Sequence, residues 1–487
     1  MNWLTVVFVI LRTLTNPALG APLSGAPSEP DPALAFTVQL DNLPFVNKGL
    51  VAFGLIPSNF TESTGDTLGG IGSAIALKLG SFQQRKDGGF TGTLVVQPDR
   101  GFNVDTTINY QGRQHEIDFI LNPYYSSENL TFTQAQETLQ LQYKKTLLYT
   151  DRRNVKTSGL DTLGVRPAEF GFPFIAVADP VMPIPNSTFS HLSMDNEGLV
   201  LNKDGTFWVS DEYGPYIYRF DSSGGLMQTI QPPEAIVPRI NGVVNFTSVT
   251  GPDTGRAGNQ DGGSDKSTSR FTRLLAYDIS LPLVLRPVLK AEFVVPLPQN
   301  SKANTLASSE IHFVSEGILL VLSRDGNGHG DDTTKSKFKS IDLIDIRNAT
   351  DIHGSKFDSP THPIAINGTL DSSITPAAYI EFLDMINTTQ LARFGLHNGT
   401  MELPEYSLFT YRLYAGDPAD ATLIDAKWES IALAPVGDPK FPHDFFLFTA
   451  ADNDFLTTQG ISLGQPYNAG IDNDNQFMVY RVTLPTK

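Results

Sequence analysis

Cysteine is absent from all 487 residues, which excludes a disulfide framework and any thiolate metal site. Histidine is scarce, eight in all, so a metal site with several ligands must draw mainly on oxygen. Basic residues are outnumbered, 35 Lys and Arg against 52 Asp and Glu, for a net charge of −17. That argues against nucleic acid as the main partner. It also means that an anionic substrate needs a local basic cluster or a bound cation. Long apolar runs are missing: no window reaches the roughly 20 apolar residues of a membrane-spanning helix. A Walker loop, an H-E-x-x-H helix and an R-H-G phosphatase signature are absent too. Nucleotide hydrolase and metalloprotease readings lose most of their support with them.

The first 20 residues carry an apolar stretch, Leu4 to Leu11, and a small-residue site at Ala18 and Gly20. They read as a secretory signal peptide cleaved before Ala21, followed by a flexible leader over 21–35. Removing Arg12 with the signal makes the charge one unit more negative. Eight N-x-S/T sequons, at Asn59, Asn129, Asn186, Asn245, Asn348, Asn367, Asn387 and Asn398, exceed the roughly four expected by chance and predict a glycosylated extracellular protein. Outside the cell and without disulfides, stability must come from a large core, glycans and bound metal.

From residue 36 onward the signals are short strands divided by Gly, Pro, Asn and Asp turns, as in Leu274 to Ile279, Ile318 to Ser323, Ser340 to Ile346 and Phe445 to Ala450. This density predicts an all-β chain. A helix is expected from Pro376 to Arg393, N-capped by Thr375 and ended by Gly395, inside an insertion over 351–423. Gly251 to Ser269 reads as a polar surface excursion.

Three hairpins share a pattern. Glu197 and Asp211 are equidistant from a Lys203-Asp204-Gly205 turn, so their carboxylates should meet about 5 Å apart at the open end. Glu310 and Asp325 flank a hairpin turning at Ser315 to Gly317, and Glu429 and Asp452 flank one centred on Gly437 to Phe441. The leading Glu residues are 113 and 119 positions apart, about two to three blades of a β-propeller. A closed propeller of six or seven blades over residues 36–487 would bring these carboxylates into one channel; a pair of β-sandwiches is the alternative. Converging carboxylates repel unless a cation lies between them, and oxygen donors favour calcium before magnesium. The competing explanation is that these acids mark strand ends and turns.

Arg324 at a strand end and Lys339 on the next strand together suit a phosphate, or else pair with neighbouring acids. The loop RDGNGHGDD, Arg324 to Asp332, offers oxygen ligands and His329 as an acid or base, yet lacks the terminal Glu of a calcium hand loop. The acids of AADNDF and GIDNDNQF, Asp452, Asp454, Asp472 and Asp474, are either ligands or Asx-turns. Tyr213, Tyr216 and Tyr218 read as packing residues.

The run EGLVLNKDGTFWVSDEYGPYIYRFDSSGGLMQTI, with LLVLSRDGNGHGDDTTKSKFKSIDLIDI, KWESIALAP and GDTLGGIGSAIAL, resembles the phytase-like family, also called esterase-like activity of phytase. The resemblance extends from about residue 45 to the C-terminus and implies a propeller-like fold and a hydrolase of phosphate or other esters. Within the matching segments lie Glu197, Asp211, Glu212, Glu310, Arg324, Asp325 and Glu429. Three functions follow as expectations. The first is metal-assisted hydrolysis of a small-molecule phosphate ester. In it Glu197, Asp211, Glu310, Asp325, Glu429 and Asp452 hold the cation, Glu197, Asp211, Glu310, Arg324 and Asp325 act in catalysis, and Arg324 and Lys339 bind substrate. The second is a calcium-dependent lactonase or esterase, and the third a noncatalytic propeller that binds a ligand or protein.

Overall fold

The computed structural model describes residues 7–9, 29–103, 106–169, 179–248, 266–280, 287–399 and 420–485. Nearly all regular structure there is β, with two α-helices of five residues each, Phe132–Gln136 and Thr388–Ala392. Most of the predicted signal and leader, most of the 251–269 excursion and residues 400–419 of the expected insertion lie outside the described residues. Within the predicted signal, Val7–Val9 pairs in parallel with Leu274 to Ala276. No described helix is long and apolar enough to cross a membrane.

The strands assemble as antiparallel meanders, which short connections between neighbouring strands dictate. The first sheet runs Ala74–Leu77, Phe90–Gln97, Arg113–Leu121, Leu139–Leu148; the second runs Asn196–Leu201, Phe207–Asp211, Ile217–Phe220, Leu226–Ile230. Phe271–Asp278 and Val288–Pro296 form the third sheet with Val7–Val9 at its edge. The fourth is Ala307–Ser315, Ile318–Arg324, Lys339–Asp345, Ala378–Asp384. A last sheet joins the chain ends, because Leu43–Ile56 pairs along its length with Asn475–Thr483, which pairs in turn with Asp444–Asp452.

Apolar faces of neighbouring sheets pack round a closed ring. Val95 of the first sheet shares a core with Phe207 and Val209 of the second. Trp208 and Ile217 of the second pack against Tyr277 of the third, and Leu274 and Val295 of the third against Ile311 and Leu319 of the fourth. Leu320 and Leu343 continue into the core of Leu447 and Met478 in the last sheet, whose other face meets Leu94 and Phe119 of the first. This arrangement is propeller-like, and it excludes a pair of sandwiches, in which each sheet would face a single partner.

The expected helix from Pro376 to Arg393 is corrected. Ala378–Asp384 is instead the fourth strand of the fourth sheet, paired with Lys339–Asp345. Tyr379, Ile380 and Phe382 favour a strand, and Asp342 fixes it there by accepting from the Phe382 N–H at 2.9 Å and the Tyr379 hydroxyl at 2.8 Å. Only the last part of the segment is helical. Asn387 rather than Thr375 caps it, accepting from the Gln390 N–H, and Gly395 follows at φ +63°. Part of the 351–423 insertion is thus integral to a sheet.

Tyr213, Tyr216 and Tyr218 are fully buried packing residues. Among the sequons, Asn59, Asn129, Asn186, Asn348, Asn367 and Asn387 are exposed, whereas Asn245 and Asn398 are half-buried.

Candidate functional site

The Glu197 hairpin forms with the expected turn, Leu201 opposite Phe207 and Leu199 opposite Val209, but a bulge between Asn196 and Gly198 shifts the register at its open end. Asn196, not Glu197, faces Asp211. Bulges re-aim side chains in this way. Glu197 joins Asp195 and Glu212, with one carboxylate oxygen from each lying within 4.8 Å of the others. The backbone ties the group together, since the Glu212 N–H donates to the Asp195 carbonyl at 2.8 Å. Asp211 is engaged differently: its carboxylate accepts from the Asp195 N–H at 2.8 Å and the Gly214 N–H at 2.9 Å. The expected meeting of Glu197 with Asp211 is therefore corrected, and Asp211 holds the backbone that carries Asp195.

A second triplet is Asp99, Asp452 and Asp454, again with oxygens within 4.8 Å. Asp99 follows the first sheet's strand Phe90–Gln97, and Asp452 ends a strand of the last sheet. Asp454 and Phe455 both adopt left-handed backbone, φ +51° and +57°, a strained pair that its surroundings must hold. Asp452 accepts the Asp454 N–H at 2.7 Å, and Asn453 accepts the Gly70 N–H at 2.9 Å. The early GDTLGGIGSAIAL motif explains its glycines here. A Cβ on Gly72 would lie 2.0 Å from the Ala451 carbonyl carbon, so only glycine lets this loop lie against the turn.

Cations interleave with these acids. The Lys427 ammonium pairs with Asp452 and, at 2.8 Å, with Asp454. Arg324 pairs with Glu429, and Arg100 lies 3.2 Å from Asp195. Seven carboxylates, Asp99, Asp195, Glu197, Glu212, Glu429, Asp452 and Asp454, thus surround three cations, and electrostatic coupling links the whole group. Burial raises the Glu197 carboxyl well above the ordinary range, and the charges of Glu429, Glu212, Asp195 and Asp99 raise it further. Asp195 is pushed up to about 7, by burial against the pull of Arg100. Burial works against the charged form of Lys427, but Asp452, Asp454 and Glu429 outweigh it and hold the ammonium charged.

The two triplets differ in what already neutralises them. Lys427 occupies the Asp452 and Asp454 side, whereas Asp195 is 2% exposed and its Oδ1 has no hydrogen-bond partner. An orphaned oxygen in a group of carboxylates this close fits a calcium-sized ion, whose ligands at about 2.4 Å span at most about 4.8 Å. Asp195, Glu197 and Glu212 are thus the residues best placed to hold a metal.

The remaining expected residues lie elsewhere. Glu310 faces Leu322 across its hairpin, while Ala307 faces Arg324, so Glu310 and Asp325 do not meet at an open end. The Glu310 carboxylate accepts its neighbour's N–H, from Ile311 at 2.7 Å. Burial pushes it up to about 8, and no charged side chain figures among the causes. Asp325 binds its own loop, accepting from the Ser336 hydroxyl at 2.8 Å and the Lys337 N–H at 2.7 Å. Lys339 is buried, donating to the Ala426 carbonyl at 2.7 Å and lying 3.4 Å from Asp325; burial lowers it to about 7. Asp452 faces Lys427 rather than Glu429, and Glu429 reaches the cluster one step further on. Sequence reasoning passed over Asp99, Arg100, Asp195 and Lys427. The carboxylate two residues before Glu197, in SMDNEG, was the available signal for Asp195.

A family profile described as phytase-like, esterase-like activity of phytase, matches residues 85–390. The chain belongs to this family. A secreted protein of Arthroderma benhamiae, itself uncharacterised, is 34% identical over 94% of this phytase-like chain and 96% of its own length. Among solved structures, a Bacteroides fragilis protein provisionally named 6-phosphogluconolactonase aligns over 88% of this chain and 90% of its own, at 9% identity and a TM-score of 0.25. That likeness is too low to bear on fold or function.

Proposed function

We propose that this phytase-like protein is a secreted ester hydrolase that works with one divalent cation, calcium first, held by Asp195, Glu197 and Glu212. The observation that carries the reading is the Asp195 Oδ1, buried and unpartnered among three close carboxylates. When bound, the cation supplies Lewis acidity toward an ester oxygen. Asp211 keeps Asp195 in place through its backbone, and Arg100 orients the Asp195 carboxylate from the other side. Burial and the neighbouring acids favour the protonated form of Glu197 when no cation is present, and metal binding would favour its ionised form instead.

Two substrate classes compete within this reading. A phosphate ester such as phytate calls for basic groups to meet its charge, and Arg324 and Lys339 were the candidates. Arg324 is engaged with Glu429, and Lys339 with Ala426 and Asp325. Their engagement favours a carboxylic ester or lactone; the phosphate ester remains the second reading, supported by the family's name. The fold reading that accompanies both is a single propeller over residues 36–487. Its six or seven blades are reached only by counting ribbons such as Gly164–Arg166 with Met182–Ile184 as reduced blades. Signal cleavage before Ala21 and glycosylation complete the proposal, with the secreted fungal relative in support.

The test is a calorimetric calcium titration of chelator-stripped protein, run beside a hydrolysis screen of lactones, carboxylic esters and phosphate esters. One calcium should bind, raise the melting temperature and restore activity lost to chelator. Glu197→Gln should abolish that stabilisation, since a ligand bound only by the native state stabilises it. Without calcium the same variant should melt at or above wild type, because it removes a repelled carboxyl. A protein that binds no divalent cation and hydrolyses nothing would leave the binding propeller in its place.

A further inference from the structure

The glycine-rich loop after Arg324 has no part in the proposed ester chemistry, yet it is built to close tolerance. Gly328 runs at φ +143°, and a Cβ there would lie 2.7 Å from backbone atoms of Asp425 and Ala426; one on Gly330, at φ +89°, would lie 2.9 Å from the Asn473 amide. Between them the backbone is stitched down: the His329 N–H donates to the Ile424 carbonyl at 2.9 Å and the Ala426 N–H to the His329 carbonyl at 3.0 Å. This lays the His329 ring, 4% exposed, beside Asp425, which is 0% exposed.

The His329 Nδ1 and Asp425 Oδ1 are 4.0 Å apart, too far for a hydrogen bond. Two ligands each about 2.0–2.2 Å from one ion lie about 3–4.4 Å apart, so the gap has the size of a shared metal. Neither Asp425 carboxylate oxygen has a hydrogen-bond partner, although the residue's N–H is taken by Gln476 and its carbonyl by the Trp428 indole. Protonation would not resolve this, because the new O–H would itself need an acceptor. The charges facing Asp425 are those of Asp474, Asp452 and Lys339. Lys339 is directed to Ala426 and Asp325 instead. Asp474 also interacts with His329, while one of its oxygens accepts the Ser58 N–H at 2.8 Å.

We propose that His329 and Asp425 form a second metal site, distinct from the carboxylate triplet and suited to a borderline divalent ion such as zinc, with Asp474 contributing its charge rather than a third close ligand oxygen. An imidazole with a carboxylate selects such an ion over calcium, which takes oxygen alone. The inference does not depend on the ester reading, since none of its residues belongs to the Asp195 group.

The test is a titration of chelator-stripped, full-length protein with cobalt(II), in calcium sufficient to fill the carboxylate triplet. One cobalt should bind with visible absorption bands and be displaced by zinc. His329→Gln and Asp425→Asn should each weaken cobalt binding about 100-fold or more, given that even outer partners of metal ligands cost 10–100-fold. Glu197→Gln should leave cobalt binding unchanged while losing calcium, which separates failure of this proposal from failure of the ester reading. Circular dichroism in chelator identifies any variant that has lost its fold. In wild-type protein, zinc should also shift the ring resonances of one buried histidine. Absence of cobalt binding, or bands and ring shifts that survive both substitutions, would overturn the site. So would an Asp425→Asn protein that is stabilised in chelator and binds cobalt unchanged, for Asp425 would then be a buried neutral acid.

Discussion

Replacing Glu310 by Gln separates a buried acid from a metal ligand. In the folded chain burial pushes the Glu310 carboxyl up to about 8 from an ordinary 4.5, with only the Ile311 N–H acting against it. A folded-state value above the unfolded one means that the native protein holds more protons between the two. Its stability contribution is therefore complete below pH 4.5 and is lost as the pH rises toward 8. At about 1.4 kcal/mol per pH unit, this interval sets an upper limit of about 5 kcal/mol. Glu310 is only half-buried, so water shares the charge, and about 2–3 kcal/mol is the figure to expect. Gln keeps an oxygen to accept the Ile311 N–H at nearly unchanged volume, so the substitution removes the ionisation and little else. Urea unfolding in chelator should show wild type and variant equal near pH 4 and the variant about 2–3 kcal/mol more stable near pH 8. Equal stability at both pH values, or loss at pH 8, would refute the argument. Calcium affinity should not change; a tenfold loss would return Glu310 to the ligand set.

Arg324→Met should destabilise the protein by up to about 3–5 kcal/mol in denaturant unfolding, because Glu429 is left buried with only Lys427, 4.0 Å away and already engaged by Asp452 and Asp454; Arg324→Met with Glu429→Leu should recover most of it. Gly328→Ala should lower stability by about 1–3 kcal/mol for its φ of +143° alone, and the clash with Asp425 should add to this, as thermal unfolding will show. Glycopeptide mapping of secreted protein should find Asn59, Asn129, Asn186, Asn348, Asn367 and Asn387 accessible to modification and Asn398 empty. The Asn398 side chain is bonded at both ends to the Ser336 backbone, at 2.8 and 2.9 Å.

What could be read from the sequence was whatever depends on residues near one another along the chain. Alternating apolar residues and turn clusters placed the strands Ile318–Arg324 and Asp444–Asp452 within a residue or two, since strand pairing across a short turn is local. Register at the open end of a hairpin is not local. One bulge at Glu197 displaced it, and that bulge answers to Asp211 holding the backbone of Asp195, a bond no spacing rule encodes. The helix expected at 376–393 failed for a related reason: its apolar residues suit either period, and pairing with Lys339–Asp345 decided between them. Asp99 and Lys427 were harder still. Lys427 faces Asp452 across neighbouring strands of the last sheet, whereas Asp99 follows a strand of the first, and only closure of the ring brings it to Asp452. Ring closure also explains why the site could be half right without its pairs being right. The first, second and last sheets each bring acids at or beside strand ends to the cluster, so Glu197 and Glu429 reach it whatever their local partners, while Glu310 of the fourth sheet does not. Which acids share an ion is then fixed by the cations already there. Lys427 fills one triplet, and the other, at Asp195, keeps an unsatisfied oxygen. Chemistry in such a fold is set less by where the carboxylates stand than by which of them the chain has left unpaired.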